Sequence, residues 1–247
     1  MPACPDGRCD GSGFLYDEDT RRARDCTCRP RRIARRKARK LAGVIPRRYQ
    51  GVSFDRPPVT QIDSRVVRAV QKYVATLDQN LDEGQGIWFE GDVGTGKTTL
   101  AMLISAEALR QGHSVAIYSL PRLLGLLRET FDDESEASLS TLLDRLAAVE
   151  LLHVDDVGAE QSSAWVLEQL YTIINTRYED GRAIVLTTNL EPPALREQIG
   201  ERTVSRITEM CGDPLLLKGT DQRVSMADPF DDEPLPYGAP RARPLAS

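Results

Sequence analysis

An α/β fold, with a parallel sheet covered by helices on both faces as a three-layer sandwich, is what this sequence predicts, and three observations carry that expectation. First, Ile87-Trp88-Phe89, Val115-Ala116-Ile117-Tyr118, Leu151-Leu152-His153-Val154 and Ala183-Ile184-Val185-Leu186 are short apolar runs. They are too short for helices and lack the alternation of a half-exposed strand, which suits strands buried on both faces. Second, helical periodicity fills the intervals: Leu100, Leu103, Ile104 and Ala108 fall on one face, and so do Val166, Leu170, Ile173 and Ile174. Third, a glycine-rich loop joins the first of these runs to the first of these helices. Strands alternating with helices imply right-handed crossovers, which put helices on both sides of the sheet.

The composition permits such a core. Of 247 residues, 40% are hydrophobic and 28% charged, the balance of a globular rather than a disordered chain. No apolar run approaches the roughly 20 residues of a membrane span, and Cys, Asp and Gly stand near the N-terminus where a secretory signal would be apolar. The expectation is a soluble, cytoplasmic protein without a membrane partner. The formal net charge of −5 conceals an asymmetry: residues 1–48 hold 14 Lys/Arg against 6 Asp/Glu, and residues 49–247 hold 18 against 31. A basic head on an acidic body is the layout of chains that touch nucleic acid or an acidic partner, with a solvated arm as the plainer alternative.

Three segments follow. Residues 1–45 form a cysteine-rich, basic head, residues 46–226 the α/β domain, and residues 227–247 a tail expected to be disordered, since it carries Pro229, Pro234, Pro236, Pro240 and Pro244 among acids with almost nothing to pack. Between Pro121 and Val149 the domain carries two helical patterns separated by the acidic Asp132–Glu136 stretch.

The glycine-rich loop reads Gly91-Asp92-Val93-Gly94-Thr95-Gly96-Lys97-Thr98-Thr99 and matches G-x-x-x-x-G-K-[ST] at every fixed position, after a strand and before a helix. Its glycines let backbone N–H groups curl around phosphate oxygens without a Cβ in the way, and the following helix N-terminus favours the same anion. In such a loop Lys97 reaches the β- and γ-phosphates and the Thr98 hydroxyl ligates Mg²⁺. This is the signature of a nucleoside triphosphate site. Its second half should be an acid at the end of a later buried strand, and Asp155 and Asp156 directly follow Leu151–Val154. Asp155 is the candidate Mg²⁺ ligand and Asp156 the candidate that orients or polarises the attacking water, against the alternative of two acids capping a strand end. Thr188 and Asn189 end the next strand, at the carboxyl edge where ligands bind, so Asn189 is a candidate donor to the γ-phosphate or the lytic water. His153, inside the acid-bearing strand, reads as a packed core histidine.

Four motifs in order, Gly-Asp-Val-Gly-Thr-Gly-Lys-Thr, Leu-Leu-His-Val-Asp-Asp-Val-Gly, Leu-Thr-Thr-Asn-Leu and Gly200-Glu-Arg-Thr-Val-Ser-Arg206-Ile, resemble the AAA+ ATPases of the DnaC/DnaI helicase-loader and IstB transposition-helper group. The resemblance covers about residues 46–226 and implies an AAA+ P-loop NTPase sandwich that takes ATP rather than GTP. It implies catalytic roles for Lys97, Asp155, Asp156 and Asn189. It also implies an arginine finger at Arg206, supported by Arg202, that reaches a neighbouring subunit's γ-phosphate, and hence a homo-oligomer, a ring or spiral. Lys218-Gly-Thr-Asp-Gln-Arg223 is similar to the family's terminal motif, which makes Arg223 the candidate sensor 2. From the residues alone, either arginine is equally a surface ion pair.

Cys4, Cys9, Cys26 and Cys28 give C-x4-C-x16-C-x-C in the head, while Cys211 stands apart as a small apolar residue. Four clustered cysteines in a reducing compartment point to a tetrahedral Zn²⁺ site that holds together a segment with too little core to fold alone. Reduced free thiols and a redox role are the alternatives. Cysteine heads of this kind also resemble those of helicase loaders more than those of IstB-type helpers. From Arg31 to Arg48 the chain is basic. On a helix, Ile33, Ala34, Ala38, Leu41 and Ala42 fall in one half and Arg32, Arg35, Arg36, Arg39 and Lys40 mainly in the other. Such a helix docks in a partner's groove, lies along a phosphate backbone or is a solvated linker.

The resemblance therefore implies an ATPase, slow and stimulated by its partners, that loads or remodels a replicative hexameric DNA helicase and binds ATP·Mg²⁺ and single-stranded DNA as an oligomer. The alternative is an IstB-like transposition helper acting on target DNA.

Overall fold

The computed structural model describes residues 4, 7–18, 21–29, 45–130, 139–159 and 163–219. Arg223, the tail, the acidic Asp132–Glu136 stretch and residues 31–44 of the basic segment lie outside them.

The strands expected from the apolar runs form, and a further one joins them: β3 (Ile87–Gly91), β4 (Val115–Ser119), β5 (Leu151–Val157), β6 (Ala183–Thr188) and β7 (Leu215–Leu217) make one sheet in the order β4–β5–β6–β3–β7. Every pairing is parallel, for example Ile87 with Val185, Val115 with Leu151 and Leu151 with Ala183. Alternate residues of each strand feed opposite layers. Phe89, Val115, Leu151 and Val185 pack with Leu100, Ile104 and Val70 on one face, while Trp88, Ala116, Leu152 and Ile184 pack with Leu123, Leu170, Ile174 and Ile207 on the other. Burial on both faces is the reason these runs lack the alternation of a surface strand.

The first layer holds α1 (Ser64–Ala75), α2 (Leu77–Asp82) and α3 (Lys97–Arg110). Asp63 starts α1 by accepting from the Arg65 N–H at 2.7 Å. Helix α3 departs from the one-sided stripe that its periodicity suggests: every residue from Leu100 to Ser105 is buried, and Ala108 with them. A helix apolar nearly all round is one enclosed between other elements. The second layer holds α4 (Leu120–Glu129), α5 (Leu139–Ala148), α6 (Ala164–Glu179), α7 (Pro192–Ile199) and α8 (Glu201–Cys211). The two helical patterns after Pro121 are α4 and α5, each burying one leucine stripe.

Arg177 of α6 ties this layer together. It is fully buried, and its guanidinium donates to the carbonyls of Leu146 (2.7 Å), Val149 (3.1 Å), Glu150 (3.3 Å) and Ala183. The two terminal nitrogens of the guanidinium thus satisfy the carbonyls left over where α5 ends and β5 and β6 begin, while Nε is buried without a partner among the described residues. Burial pulls its pKa down to about 9, which still leaves it charged at neutral pH.

In the head, β1 (Phe14–Asp17) and β2 (Arg22–Asp25) form an antiparallel hairpin with Phe14 opposite Asp25 and Tyr16 opposite Ala23. Leu15 faces inward onto the cysteines. Among the described residues, no helix is long and apolar enough to cross a membrane.

Replacing Arg177 by Met keeps the bulk but strands several buried carbonyls, each costing roughly 1–3 kcal/mol. Urea denaturation should show a loss of about 2–4 kcal/mol for Arg177→Met. A midpoint unchanged from the parent protein would show that the carbonyls find other partners.

Candidate nucleotide site and thiol cluster

The loop after β3 has the conformation that its glycines permit. Gly91, Gly94 and Gly96 all have positive φ. At Gly91 a Cβ would stand 2.0 Å from the Leu217 carbonyl oxygen, so glycine is what lets β7 pair beside the loop. Gly96 precedes α3 in the left-handed region with no side-chain cap on the helix, which leaves the first-turn N–H groups available to an anion. The Thr95 hydroxyl donates to the Asp92 carbonyl at 2.8 Å, and the buried Lys97 ammonium donates to the Gly91 and Asp92 carbonyls at 2.7 Å each. These bonds centre a positive charge inside the loop.

Asp155 ends the buried part of β5. Its Oδ1 accepts from the Thr98 hydroxyl at 3.0 Å and from the Thr187 hydroxyl at 2.6 Å. His153 Nε2 lies 3.9 Å from the same oxygen. Burial pushes the Asp155 carboxyl up, but His153 and the two hydroxyls more than offset this, so its pKa is lowered and the carboxylate is charged throughout the neutral range. His153 is fully buried with Nδ1 3.0 Å from the Ser105 hydroxyl, the packed core histidine that the sequence suggests. Asp156 takes a left-handed conformation (φ 57°) where the β5–β6 register shifts between Val154 and Val157, and its N–H donates to the Thr187 hydroxyl at 2.9 Å. Such a conformation costs a non-glycine residue about 1–2 kcal/mol. The bulge turns Asp156 out of the strand and into the cleft.

One cleft of about 320 Å³ collects Val93, Gly94, Gly96, Lys97, Thr98, Thr99, Asp156 and Asn189. The sequence-predicted residues of three separate segments therefore meet there, with Asp155 hydrogen-bonded behind Thr98. Arg206 does not join them. It sits on α8, donates to both Glu209 carboxylate oxygens at 3.1 and 3.3 Å, and lies 4.1 Å from the Tyr178 ring centroid. Arg202, on the same helix, is exposed.

Residues that the sequence reading passed over complete the site. Thr187 holds both acids in place, and Arg48, Tyr49 and Pro58 line the cleft. The only sequence signal for Thr187 is its place before Thr188-Asn189 at a strand end, and for the other three there is none.

In the head, Cys4, Cys9, Cys26 and Cys28 bring their Sγ atoms within 4.8 Å of one another, with Cys4–Cys26 at 3.9 Å and Cys9–Cys28 at 3.7 Å. A disulfide needs about 2.05 Å, so these are separate thiols. Four sulfurs each about 2.3 Å from a tetrahedral Zn²⁺ stand roughly 3.8 Å apart, and the donor set fits that ion. The hairpin supplies the geometry. The Arg29 N–H donates to the Cys26 carbonyl and the Cys26 N–H to the Gly13 carbonyl, each at 2.9 Å, which folds the C-x-C segment back on the first pair. Burial and the neighbouring thiols push the Cys28 thiol up to about 12. Cys211 is separate, beside the Ile184 carbonyl, and burial pushes its thiol up as well.

The model of IstB-like ATP-binding proteins matches residues 23–206, starting upstream of the expected boundary at residue 46. The chain belongs to that family. A replicative helicase loader DnaC of Buchnera aphidicola subsp. Acyrthosiphon pisum (strain APS) is 26% identical over 181 residues, 71% of this chain and 72% of the relative. A crystal structure of the DnaC helicase loader superposes with a TM-score of 0.60 at 28% identity, covering 70% of this chain and 100% of that one. The replication initiator DnaA bound to AMPPCP and single-stranded DNA shares the fold at 20% identity and a TM-score of 0.60, covering 72% of this chain and 52% of that one. The fold is that of AAA+ P-loop NTPases. A hydroxyl and a carboxylate oxygen 3.0 Å apart at Thr98 and Asp155 are the hard donors that Mg²⁺ takes, so these residues fit the ion as well.

Removing the Thr187 hydroxyl should loosen Asp155 and Asp156 together. Thr187→Val is expected to raise the Mg²⁺ concentration needed for half-maximal ATP binding about ten-fold, while Thr187→Ser stays near the parent value. Equal behaviour of the two variants would remove the hydroxyl from the account. For the head, the purified chain should carry one zinc per molecule by elemental analysis. A strong chelator should then expose four thiols to a colorimetric reagent while ATP affinity stays within two-fold. Four reactive thiols before chelation would exclude a resident metal.

Proposed function

We propose that this protein is an ATP-dependent loader or remodeller of a replicative DNA helicase, acting as a homo-oligomer in the cytoplasm. The extent of the likeness carries the reading: at 28% identity this chain covers the whole of a crystallised DnaC helicase loader chain. The four-thiol head, held by zinc, is the partner-binding element, joined to the ATPase domain by the basic segment. The domain runs from 46 to 226, with 227–247 as a tail.

In this reading Lys97 and the first-turn N–H groups of α3 hold the β- and γ-phosphates. Thr98 and Asp155 hold Mg²⁺, which neutralises charge on the phosphate oxygens when bound. Asp156, turned into the cleft, accepts a hydrogen bond from the attacking water and takes its proton as the oxygen bonds to the γ-phosphorus. Asn189 donates to the γ-phosphate or to the water. The bond to the β–γ bridging oxygen breaks, and ADP leaves with the electron pair. Arg206 is the finger that acts on the neighbouring subunit's γ-phosphate, supported by Arg202, because from α8 it does not line its own cleft. Arg223 acts as sensor 2. Single-stranded DNA bound by the oligomer, and the helicase held by the head, set the rate of an otherwise slow turnover.

Phosphate release from ATP, measured with single-stranded DNA, duplex DNA and a replicative helicase in turn, tests the reading. Stimulation by single strands is expected, along with helicase capture by the full chain that is lost in a Cys26→Ala/Cys28→Ala variant. Arg206→Ala should cut turnover about 10²-fold without weakening ATP binding, and mixing it with Lys97→Ala protein should restore part of the activity. Stimulation by duplex DNA with no helicase capture would transfer the assignment to an IstB-like transposition helper acting on target DNA.

A further inference from the structure

The head exposes an aromatic surface that neither the thiol cluster nor the nucleotide cleft uses. Among the described residues the large apolar side chains left exposed are Phe14, Tyr16, Val93 and Leu216, and the first two share one strand. Alternation along β1 turns Leu15 onto the cysteines and Phe14 and Tyr16 to the opposite face, where Tyr16 is 65% exposed. Across the hairpin Tyr16 stands opposite Ala23, which is too small to cover the ring, and Phe14 opposite Asp25. Asp25 pairs with Arg29, and the Arg29 guanidinium lies 4.0 Å from the Phe14 ring centroid. One surface thus carries a ring backed by a guanidinium and, two residues away along the strand, a second ring.

A head whose apolar cluster is three cysteines with Cys9 and Leu15 against them has much to gain from burying aromatic rings, yet it holds both outward. Aromatic rings presented to water are stacking surfaces for nucleobases, every one of which has a π-face, and an arginine plane stacks on bases as well. The surroundings are cationic. Arg22 and Arg24 are exposed along β2, and the 14 residues 31–44, which begin two positions after Arg29, hold seven Lys/Arg and no acid. Of the two acids on the hairpin strands, Asp25 is paired with Arg29 and Asp17 stands opposite Arg22. This charge complements a polyanion. The ring spacing selects single strands. Residues two apart on a strand are about 7 Å apart, roughly twice the 3.4 Å between stacked bases. Consecutive bases reach both rings only when drawn out of their stack, and a duplex has no free base face to offer.

We propose that the outer face of the β1–β2 hairpin is a binding site for single-stranded DNA, with one base stacked on Tyr16, the next on the Phe14–Arg29 platform, and Arg22 and Arg24 beside the backbone phosphates. The proposal rests on the reading of the protein as one that binds single-stranded DNA, and it puts part of that contact outside the ATPase domain.

The test is binding of the full chain, without nucleotide, to a fluorescent oligothymidylate and to an abasic oligomer of the same length, followed by anisotropy over a series of salt concentrations. The parent should bind oligothymidylate at least about 30-fold more tightly than the abasic chain, and Phe14→Ala/Tyr16→Ala should lose that margin. Tyr16→Phe should keep the parent affinity, since the ring stacks without its hydroxyl. The fall of log affinity with log salt should keep its slope in the double ring variant, because the rings carry no charge, while Arg22→Ala/Arg24→Ala should reduce the slope by about 1.4. Both rings are exposed, so the ring variant should match the parent in thiol reactivity and helicase capture, which checks that the head is intact. Equal affinity of the parent and the ring variant for oligothymidylate would overturn the proposal and leave single-strand binding elsewhere on the oligomer standing. So would equal binding of the abasic chain by the parent, since phosphate contact would then suffice. Loss of helicase capture with unaltered DNA affinity would overturn it too, making this face a protein-docking surface. A parent chain that binds neither oligomer would refute single-strand binding itself, a failure of the underlying reading and not of the site alone.

Discussion

The Asp155 carboxylate is the point at which three separate parts of the chain are held to one another. Its Oδ1 accepts hydroxyls from Thr98 at the start of α3 and from Thr187 near the end of β6, while Asp155 itself belongs to β5. The sheet order makes this junction necessary. Strand β6 lies between β3, which delivers the phosphate loop, and β5, which delivers the acids. The two sides of this cleft therefore cannot register through a shared strand ladder. They register through side chains across the intervening strand end, and hydroxyls on a charged, buried carboxylate are strong enough to do so.

Local backbone strain serves the same junction. A regular β5 would leave Asp156 beside β6, directed into a layer. The shifted register and left-handed turn at Asp156 rotate it into the cleft, and the Thr187 hydroxyl accepts the N–H that the ladder no longer pairs. Thr188 repeats the pattern one residue later, donating to the Val157 carbonyl at 2.7 Å and accepting from the Leu190 N–H at 3.1 Å. Two adjacent threonines thus tie the strand carrying the acids to β6, which Asn189 directly follows.

The head solves a different problem by different means. A hairpin of two four-residue strands has almost no apolar interior. The apolar cluster of the head consists of Cys4, Cys26 and Cys28, with Cys9 and Leu15 packed against them. Apolar burial on this scale offsets little of the entropy of ordering the segment, and four thiolates gathered on one cation are the usual remedy in small modules. The ATPase domain needs no such device, since both faces of its sheet are covered.

What the sequence by itself determined is whatever depends on neighbours along the chain. The phosphate loop is nine consecutive residues, the two acids follow their own strand directly, and the four cysteines sit within one short segment, so spacing alone carried their chemistry. Strand and helix identity was legible for the same reason, because burial on two faces leaves a continuous apolar run. Leu100, Leu103, Ile104 and Ala108 are buried on the face their spacing indicates, while the burial of Ala101, Met102 and Ser105 on α3 follows only from the assembled layers. The tertiary structure alone decided the roles of Thr187, Arg177 and the pair Arg48 and Tyr49. Thr187 matters because β6 was inserted between β3 and β5, Arg177 because three element ends converge on one buried point, and Arg48 and Tyr49 because the turn at Arg47–Tyr49 reaches the cleft. Each role comes from contacts between residues distant in sequence, and which of them meet is set by sheet order and layer packing, not by any pattern along the chain.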